Sequence, residues 1–358
     1  MYRNTKNVPY YVFGRGSLAQ LGDLLKPRRE AVDGPVVYFV DHFFRDHELI
    51  GRLPMEKGDQ LHFVDSSSEP DVTRIDAFKE AVSAADSRTP CCVVGIGGGN
   101  ALDTAKAVAN LLTNPGKAED YQGWELVKNP AVYKIGIPTL SGTGSECSRT
   151  CVLTNIPKNL KLGMNSDYTV YDQLLLDPDL LATVPRDQYF YTGIDTFMHC
   201  VESLQGSYRN AIIDAFSVRA VQLCEEIFLS DDMMSEENRE KMMIASYIGG
   251  MAAGNVGVIH PFSAGLGVVL HVAHGLGNCL ALNVLGDIYP KEYKQFRTMI
   301  ERQGVNLPTG ICKDLTEEQY EGLYRGCIVH EKPLTNALGP DFKQILTREN
   351  LIERYKSI

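Results

Sequence analysis

VVGIGGGNALDTAKAVA (residues 93–109) passes from an apolar, β-branched run through Gly95, Gly97, Gly98 and Gly99 into a pattern of helical period. A strand that turns directly into a helix is the repeating unit of a parallel α/β sheet. The start of such a helix carries backbone NH groups with no partner inside the helix, and they suit a pyrophosphate. Glycine at the turn lets a ligand approach the backbone closely, because there is no Cβ in the way. A tight strand-to-helix turn needs glycine even with nothing bound, so the cluster alone leaves a structural and a ligand-binding reading open. Its spacing departs from the dinucleotide fingerprint with glycines at the first, third and sixth places.

The same alternation extends on both sides. VVYFVD (36–41), CCVVGIGGG (91–99) and YKIGIPT (133–139) read as strands. VTRIDAFKEAVSAA (72–85) aligns Ile75, Phe78 and Val82, and ALDTAKAVANLL (101–112) aligns Leu102, Ala105 and Ala109, so both read as crossover helices. After DPDL (177–180) the strand signals fade, and helical patterns take over at 209–229, 236–253 and 316–328. Thr316 and Gln319 form a capping-box pair at the start of the last of these. The expected organisation is an α/β nucleotide-binding domain with a parallel sheet over residues 1–178, followed by an all-helical metal and substrate domain over 179–358. A chain of 358 residues exceeds the usual size of a single core, which agrees with two domains.

The balance of 35 Lys and Arg against 45 Asp and Glu, with no basic block, argues against a nucleic-acid partner. Nine cysteines with no CxxC pair point to reduced, buried thiols and a cytoplasmic protein rather than to a disulfide framework or a zinc knuckle. The N-terminal stretch shows no apolar run with a small-residue cleavage site, so no secretory leader is expected. Residues 242–286 contain no Asp, Glu, Lys or Arg, a tract longer than the roughly 20 residues that span a bilayer. Nine glycines, Pro261 and three histidines in that tract argue against insertion and for helices buried inside a large domain.

A second glycine-rich segment, PTLSGTGSE (138–146), adds hydroxyls at Thr139, Ser141, Thr143 and Ser145 that can donate to phosphate or ribose oxygens. Asp41, closing VVYFVD, sits where a strand-terminal carboxylate accepts from ribose hydroxyls and repels a 2′-phosphate, favouring NAD over NADP; an exposed turn aspartate is the plain alternative. Lys161 can neutralise phosphate or contact ribose, or can simply be solvated.

In TGIDTFMHCVESL (192–204), Asp195 and His199 stand four residues apart, about 40° of rotation and one turn of rise on a helix, so both can face one ion. Local capping and a satisfied core histidine are the plain alternatives. His260, His271 and His274 lie in the uncharged tract, where a buried imidazole needs a partner. Asp195, His199 and two of these three make a site of three nitrogens and one oxygen, suited to Zn²⁺ or Fe²⁺.

Together GIGGGNALDTAK, PTLSGTGSE, DPDLLATVP, GIDTFMHCVES and the spacing from His260 to His274 resemble the iron-containing alcohol dehydrogenases, over about residues 8–290. The resemblance implies a nucleotide domain, a helical metal domain and a cleft between them. It implies Asp195, His199, His260 and His274 as metal ligands, and Asp41, Gly97, Gly98, Asp103, Thr139, Thr143 and Lys161 as cofactor contacts, with Gly99, Asn100 and Ser141 beside them. The implied activity is metal-dependent oxidation of a primary alcohol of a small polyol or sugar acid to an aldehyde, with NAD as hydride acceptor. The sequence departs from the family pattern at Ala264, where a histidine is usual, and at Asn100, where a serine is usual; the C-terminal region is also shorter. His271 is the candidate catalytic replacement for the missing histidine, and a structural role for it is the alternative. Two other readings stay open: a lyase resembling 3-dehydroquinate synthase, whose metal set usually has a glutamate at the place of His199, and a nucleotide or metal sensor without turnover. An exposed edge strand near the N-terminus would favour a homodimer.

Overall fold

Val36–Asp41 (β2), Cys92–Gly97 (β4) and Lys134–Pro138 (β6) are buried on both faces and form the centre of a parallel sheet. They belong to a computed structural model that describes residues 6–158 and 160–358; the first five residues of the stretch read for a leader lie outside it. Tyr10–Phe13 (β1), Gln60–Val64 (β3) and Gln173–Leu176 (β9) complete the sheet, in the order β1-β9-β6-β4-β2-β3 with every pair parallel.

Period-2 alternation sends successive side chains to opposite faces. Val36, Tyr38 and Val40 pack with Val94, Ile96, Ile135 and Ile137 against Leu21 and Leu25 of Leu21–Ala31 (α1). Val37, Phe39 and Val93 face the other way, onto Ile75 and Val82 of Val72–Ala85 (α2) and Ala101, Ala105 and Val108 of Gly99–Leu111 (α3). Both faces are therefore covered, as a parallel sheet requires. Strand order reverses between β2 and β4, and ligands of open α/β sheets bind beyond the carboxyl ends of strands at such a point.

The sequence reading missed a second, small sheet. Thr150–Asn155 (β7) and Leu160–Asn165 (β8) pair antiparallel, and the short Gly123–Trp124 (β5) joins β8.

The chain forms two compact units, one of Met1–Leu140 and Ser145–Thr183 and a second of Ser141–Gly144 and Val184–Ile358. Four residues of the hydroxyl-rich loop, Ser141–Gly144, belong to the second unit. Among the described residues that unit contains helices and no strand: Arg186–Gln205 (α4), Ala211–Phe228 (α5), Glu236–Gly249 (α6), Ile259–Leu270 (α7), His274–Val284 (α8), Pro290–Gln303 (α9), Glu317–Ile328 (α10), Glu331–Leu338 (α11), Phe342–Ile345 (α12) and Arg348–Lys356 (α13). The Thr316–Gln319 capping box is present at the start of α10.

Helix α4 is buried along most of its length, packed by α5, α6 and α8. The uncharged tract supplies the end of α6, a 3-10 segment Gly250–Asn255, and helices α7 and α8, which lie largely in the interior of this unit. No single helix among the described residues is long and apolar enough to cross a membrane; one pair bent by 92°, Glu236–Asn255 with Ile259–Leu270, passes on length and composition together.

Candidate functional site

Helix α4 carries Asp195, His199 and Glu202 at positions i, i+4 and i+7, so the three lie along one stripe, and all are buried. His260 is the second residue of α7 and His274 the first of α8, so both reach the α4 stripe from helix N-terminal ends, where the helix dipoles favour the Asp195 carboxylate.

Asp195, His260 and His274 each offer one ligand atom, and these atoms lie within 4.8 Å of one another. His260 Nε2 is 3.1 Å from Asp195 Oδ1, and His274 Nε2 is 3.5 Å from Oδ2. His199 stands beside this group: its Nε2 is 3.8 Å from Asp195 Oδ1, and its ring stacks on that of His260 with centroids 4.4 Å apart. Asn278, one turn after His274 on α8, donates from Nδ2 to Asp195 Oδ1 at 2.7 Å. Asp195 Oδ2 is buried without a hydrogen-bond partner. A buried carboxylate oxygen left in that state is costly, and a cation satisfies it. The donor set therefore fits a divalent ion approached by the Asp195 carboxylate and the His260 and His274 imidazoles, with His199 alongside, and its softness does not separate iron from zinc.

The buried groups of the site shift in different directions. Burial pushes the Asp195 carboxyl upward, but its interactions with the His199 and His274 imidazoles and a hydrogen bond from His260 outweigh it and hold the group well below the usual carboxylate range. Burial takes His199 down to about 3, leaving a neutral imidazole. Burial also opposes charge on His260, yet the Glu202 and Asp195 carboxylates on either side raise it to about 9.

His271 is not part of this group. It is the C-cap of α7, in the left-handed region at φ 55°, and exposed, so its position is accounted for by the helix ending. Position 264 presents only a methyl group, 8% exposed.

Asp41, Gly97, Gly98 and Thr139, read from the sequence as cofactor contacts, gather at the β2/β4 switch point. Gly97 closes β4 with φ +151°, and a Cβ there would lie 2.7 Å from that of Ala101 and 2.9 Å from that of Asp41. Gly98 is the N-cap of α3, and no side-chain cap hydrogen bond is made at the start of the helix. Asp41 accepts from Ser66 Oγ at 2.9 Å and from the Phe43 NH. Thr139 is tied to the turn through its NH, which donates to Gly97 O at 3.0 Å.

Three residues read as cofactor contacts are committed elsewhere. The Asn100 side-chain amide donates to the Ser66 and Ser68 carbonyls, bracing the 65–68 loop instead of extending past the helix start. Asp103 accepts from Ser145 Oγ and from the Val152 NH, and pairs with the fully buried Lys106, whose ammonium gathers the carbonyls of Ser145, Ser148 and Thr150. Lys161, on β8, pairs with Glu69 at 3.0 Å. In the second unit, Ser141–Gly144 is pinned by Gly142: its NH donates to Ser246 Oγ and its carbonyl accepts from Thr196 Oγ1, the residue after Asp195. Ser141 Oγ is buried there with no hydrogen-bond partner, and Thr143 is half-buried.

Sequence reasoning missed Glu202, Asn278 and Tyr289. The signal for the first two was available: Glu202 follows Asp195 by seven residues and Asn278 follows His274 by four, helical spacings that repeat the ligand stripe.

Family models for iron-containing alcohol dehydrogenase and for the C-terminal part of the Fe-containing alcohol dehydrogenase family match residues 9–178 and 189–322. The chain is 34% identical over 220 residues to sulfoacetaldehyde reductase of Bilophila wadsworthia (strain 3_1_6), a match covering 60% of this chain and 56% of that protein. It is 29% identical over 278 residues to NAD-dependent methanol dehydrogenase of Bacillus methanolicus, covering 75% and 71%. Its fold is that of sulfoacetaldehyde reductase from Bifidobacterium kashiwanohense in complex with NAD+ (TM-score 0.80, 24% identity, 99% and 98% covered). It is equally that of the alcohol dehydrogenase from Oenococcus oeni (TM-score 0.83, 21% identity, 99% of each chain). The parallel sheet, the helical unit and the two matched regions define one class of protein fold. The chain belongs to the iron-containing alcohol dehydrogenase family. The matched segment spans little more than half the length of the Bilophila reductase.

Proposed function

We propose that the chain is a divalent-metal-dependent, NAD-dependent oxidoreductase of a primary alcohol in a small polyol or sugar acid. The observation that carries this is the convergence of Asp195, His260 and His274 around a buried carboxylate oxygen with no hydrogen-bond partner, with His199 alongside. A cation there would supply Lewis acidity to a hydroxyl, and NAD would supply the hydride acceptor. Asp195 and the three histidines hold the metal, and Asn278 orients the carboxylate. The open glycine turn at Gly97–Gly99 and the start of α3 receive the phosphates. Asp41 accepts from ribose hydroxyls and disfavours a 2′-phosphate.

The particular substrate proposed is 3-deoxy-manno-octulosonate, oxidised at its C8 hydroxyl toward an amino sugar of lipopolysaccharide. A relative that reduces sulfoacetaldehyde supports a small anionic substrate. Of the cations that could receive an anionic substrate, Arg149 is engaged with Asp167 and Glu125, Arg186 with Gln303, and Arg209 with Asp214.

Edge strand β1, with Tyr10 and Tyr11 exposed by 64% and 58%, supports a homodimer, which sedimentation of the wild type against Tyr11→Lys would test. The nine free, buried cysteines support a reducing, cytoplasmic setting.

The test is metal analysis of purified protein, followed by primary alcohols, polyols, a hydroxyalkyl sulfonate and sugar acids including 3-deoxy-manno-octulosonate, each with and without NAD and oxygen. NADH formation that needs both metal and alcohol is expected. Strictly catalytic NAD would support the lyase chemistry instead, and no turnover on any substrate would support a sensor.

A further inference from the structure

Glu202 is a buried acid with no part in the ligand set read from the sequence. Its side chain is 0% exposed, and burying a carboxylate is expensive unless each oxygen is satisfied. The two oxygens have separate partners. Oε1 accepts from the Ile259 NH at 2.6 Å and from the Tyr289 hydroxyl at 3.2 Å, and that hydroxyl in turn accepts from the Val258 NH. Helix α7 has no side-chain cap of its own, so Glu202 and Tyr289 satisfy donors that its N-terminus would leave unpaired. Oε2 is 2.5 Å from His260 Nδ1. An ionised carboxylate only accepts, so the proton on that edge of the ring belongs to Nδ1. Capping alone does not account for a charge here, because a neutral amide oxygen caps equally well.

We propose that Glu202 is a positioning residue: by accepting from His260 Nδ1 it fixes the ring's orientation, so that on metal binding Nδ1 keeps the proton and Nε2, beside Asp195, is the atom left to bind the ion. The proposal rests on reading the Asp195 cluster as a metal centre. A ligating histidine whose other nitrogen donates to a carboxylate is held in both orientation and tautomer, and the loss of such a partner typically weakens metal binding about 10–100-fold.

Glu202→Gln separates this role from a purely structural one. Two donors, Ile259 NH and Tyr289 OH, meet Oε1, so the glutamine keeps its carbonyl at the cap and turns its NH₂ onto His260 Nδ1. Two donors cannot face each other, so the ring must carry its proton on Nε2, the atom that should bind metal.

The experiment uses the full chain, stripped of metal and titrated with zinc against a competing chelator, for wild type, Glu202→Gln and His260→Ala. In parallel, ¹⁵N spectra of histidine-labelled, zinc-loaded wild type locate the His260 proton. The expected result is zinc binding about 10–100-fold weaker in Glu202→Gln, with little change in melting temperature, and a proton on Nδ1 in wild type. Wild-type zinc affinity in Glu202→Gln, or a proton on Nε2 in the loaded wild type, would overturn the proposal. If Glu202→Gln does not fold, the proton position in wild type decides alone. Undiminished zinc binding in His260→Ala would instead overturn the metal-centre reading itself.

Discussion

Gly97 and Asp41 stand side by side at the ends of β4 and β2, so close that a Cβ on Gly97 would lie 2.9 Å from that of Asp41. The contact joins the turn that opens α3 to the carboxylate read as the ribose acceptor, at the point where strand order reverses. Gly97→Ala would add a Cβ to a residue at φ +151° and press it against Asp41 and Ala101. The expected result is a stability loss of about 1–3 kcal/mol in urea denaturation and at least tenfold weaker NAD binding by calorimetry, a factor that corresponds to about 1.4 kcal/mol.

A pH effect comes from the outer part of the same sheet. Burial pushes the Asp59 carboxyl upward, but hydrogen bonds from Arg29 and from the NH groups of Glu56 and Val36 prevail and hold it below its ordinary value. Because the folded value lies below the unfolded one, this stabilisation is complete above about pH 4 and is lost as pH falls through the folded value. Asp59→Asn should cost about 2–3 kcal/mol near neutrality, where one partner of a largely buried pair is removed. It should also flatten the acid limb of a stability-against-pH curve; an acid limb as steep as that of wild type would contradict the assignment.

His271 offers a discriminating negative. At φ 55° on the C-cap of α7 it occupies a backbone conformation that glycine adopts without strain. His271→Gly should raise stability by up to about 1 kcal/mol and leave the pH profile of kcat unmoved. A profile that loses an inflection would restore His271 as the catalytic replacement for the missing histidine.

The sequence was most legible where apolar periodicity and burial coincide. β2 and α2 fall at the residues quoted, because every second or every third-to-fourth side chain faces a core. β3 escaped notice because Gln60 and His62 sit in a half-buried edge strand, where polar residues are tolerated. The β7–β8 hairpin was hidden by its polar face: Cys151 and Leu153 point inward while Val152 and Thr154 are only partly covered. In the site, the i to i+4 spacing on α4 revealed Asp195 and His199, but the approach of α7 and α8 from distant sequence has no local signature. The commitments of Asn100, Asp103 and Lys161 were equally unreadable, since their partners lie 32, 42 and 92 residues away.

The central claim is the metal centre on α4, and metal content of Asp195→Ala tests it most directly, with circular dichroism to verify the fold and calorimetry to verify NAD binding. Wild type should hold close to one divalent ion per chain. The variant should remain folded and bind NAD while losing both the ion and alcohol-dependent NADH formation. A folded Asp195→Ala protein that carries the wild-type complement of metal would contradict the account.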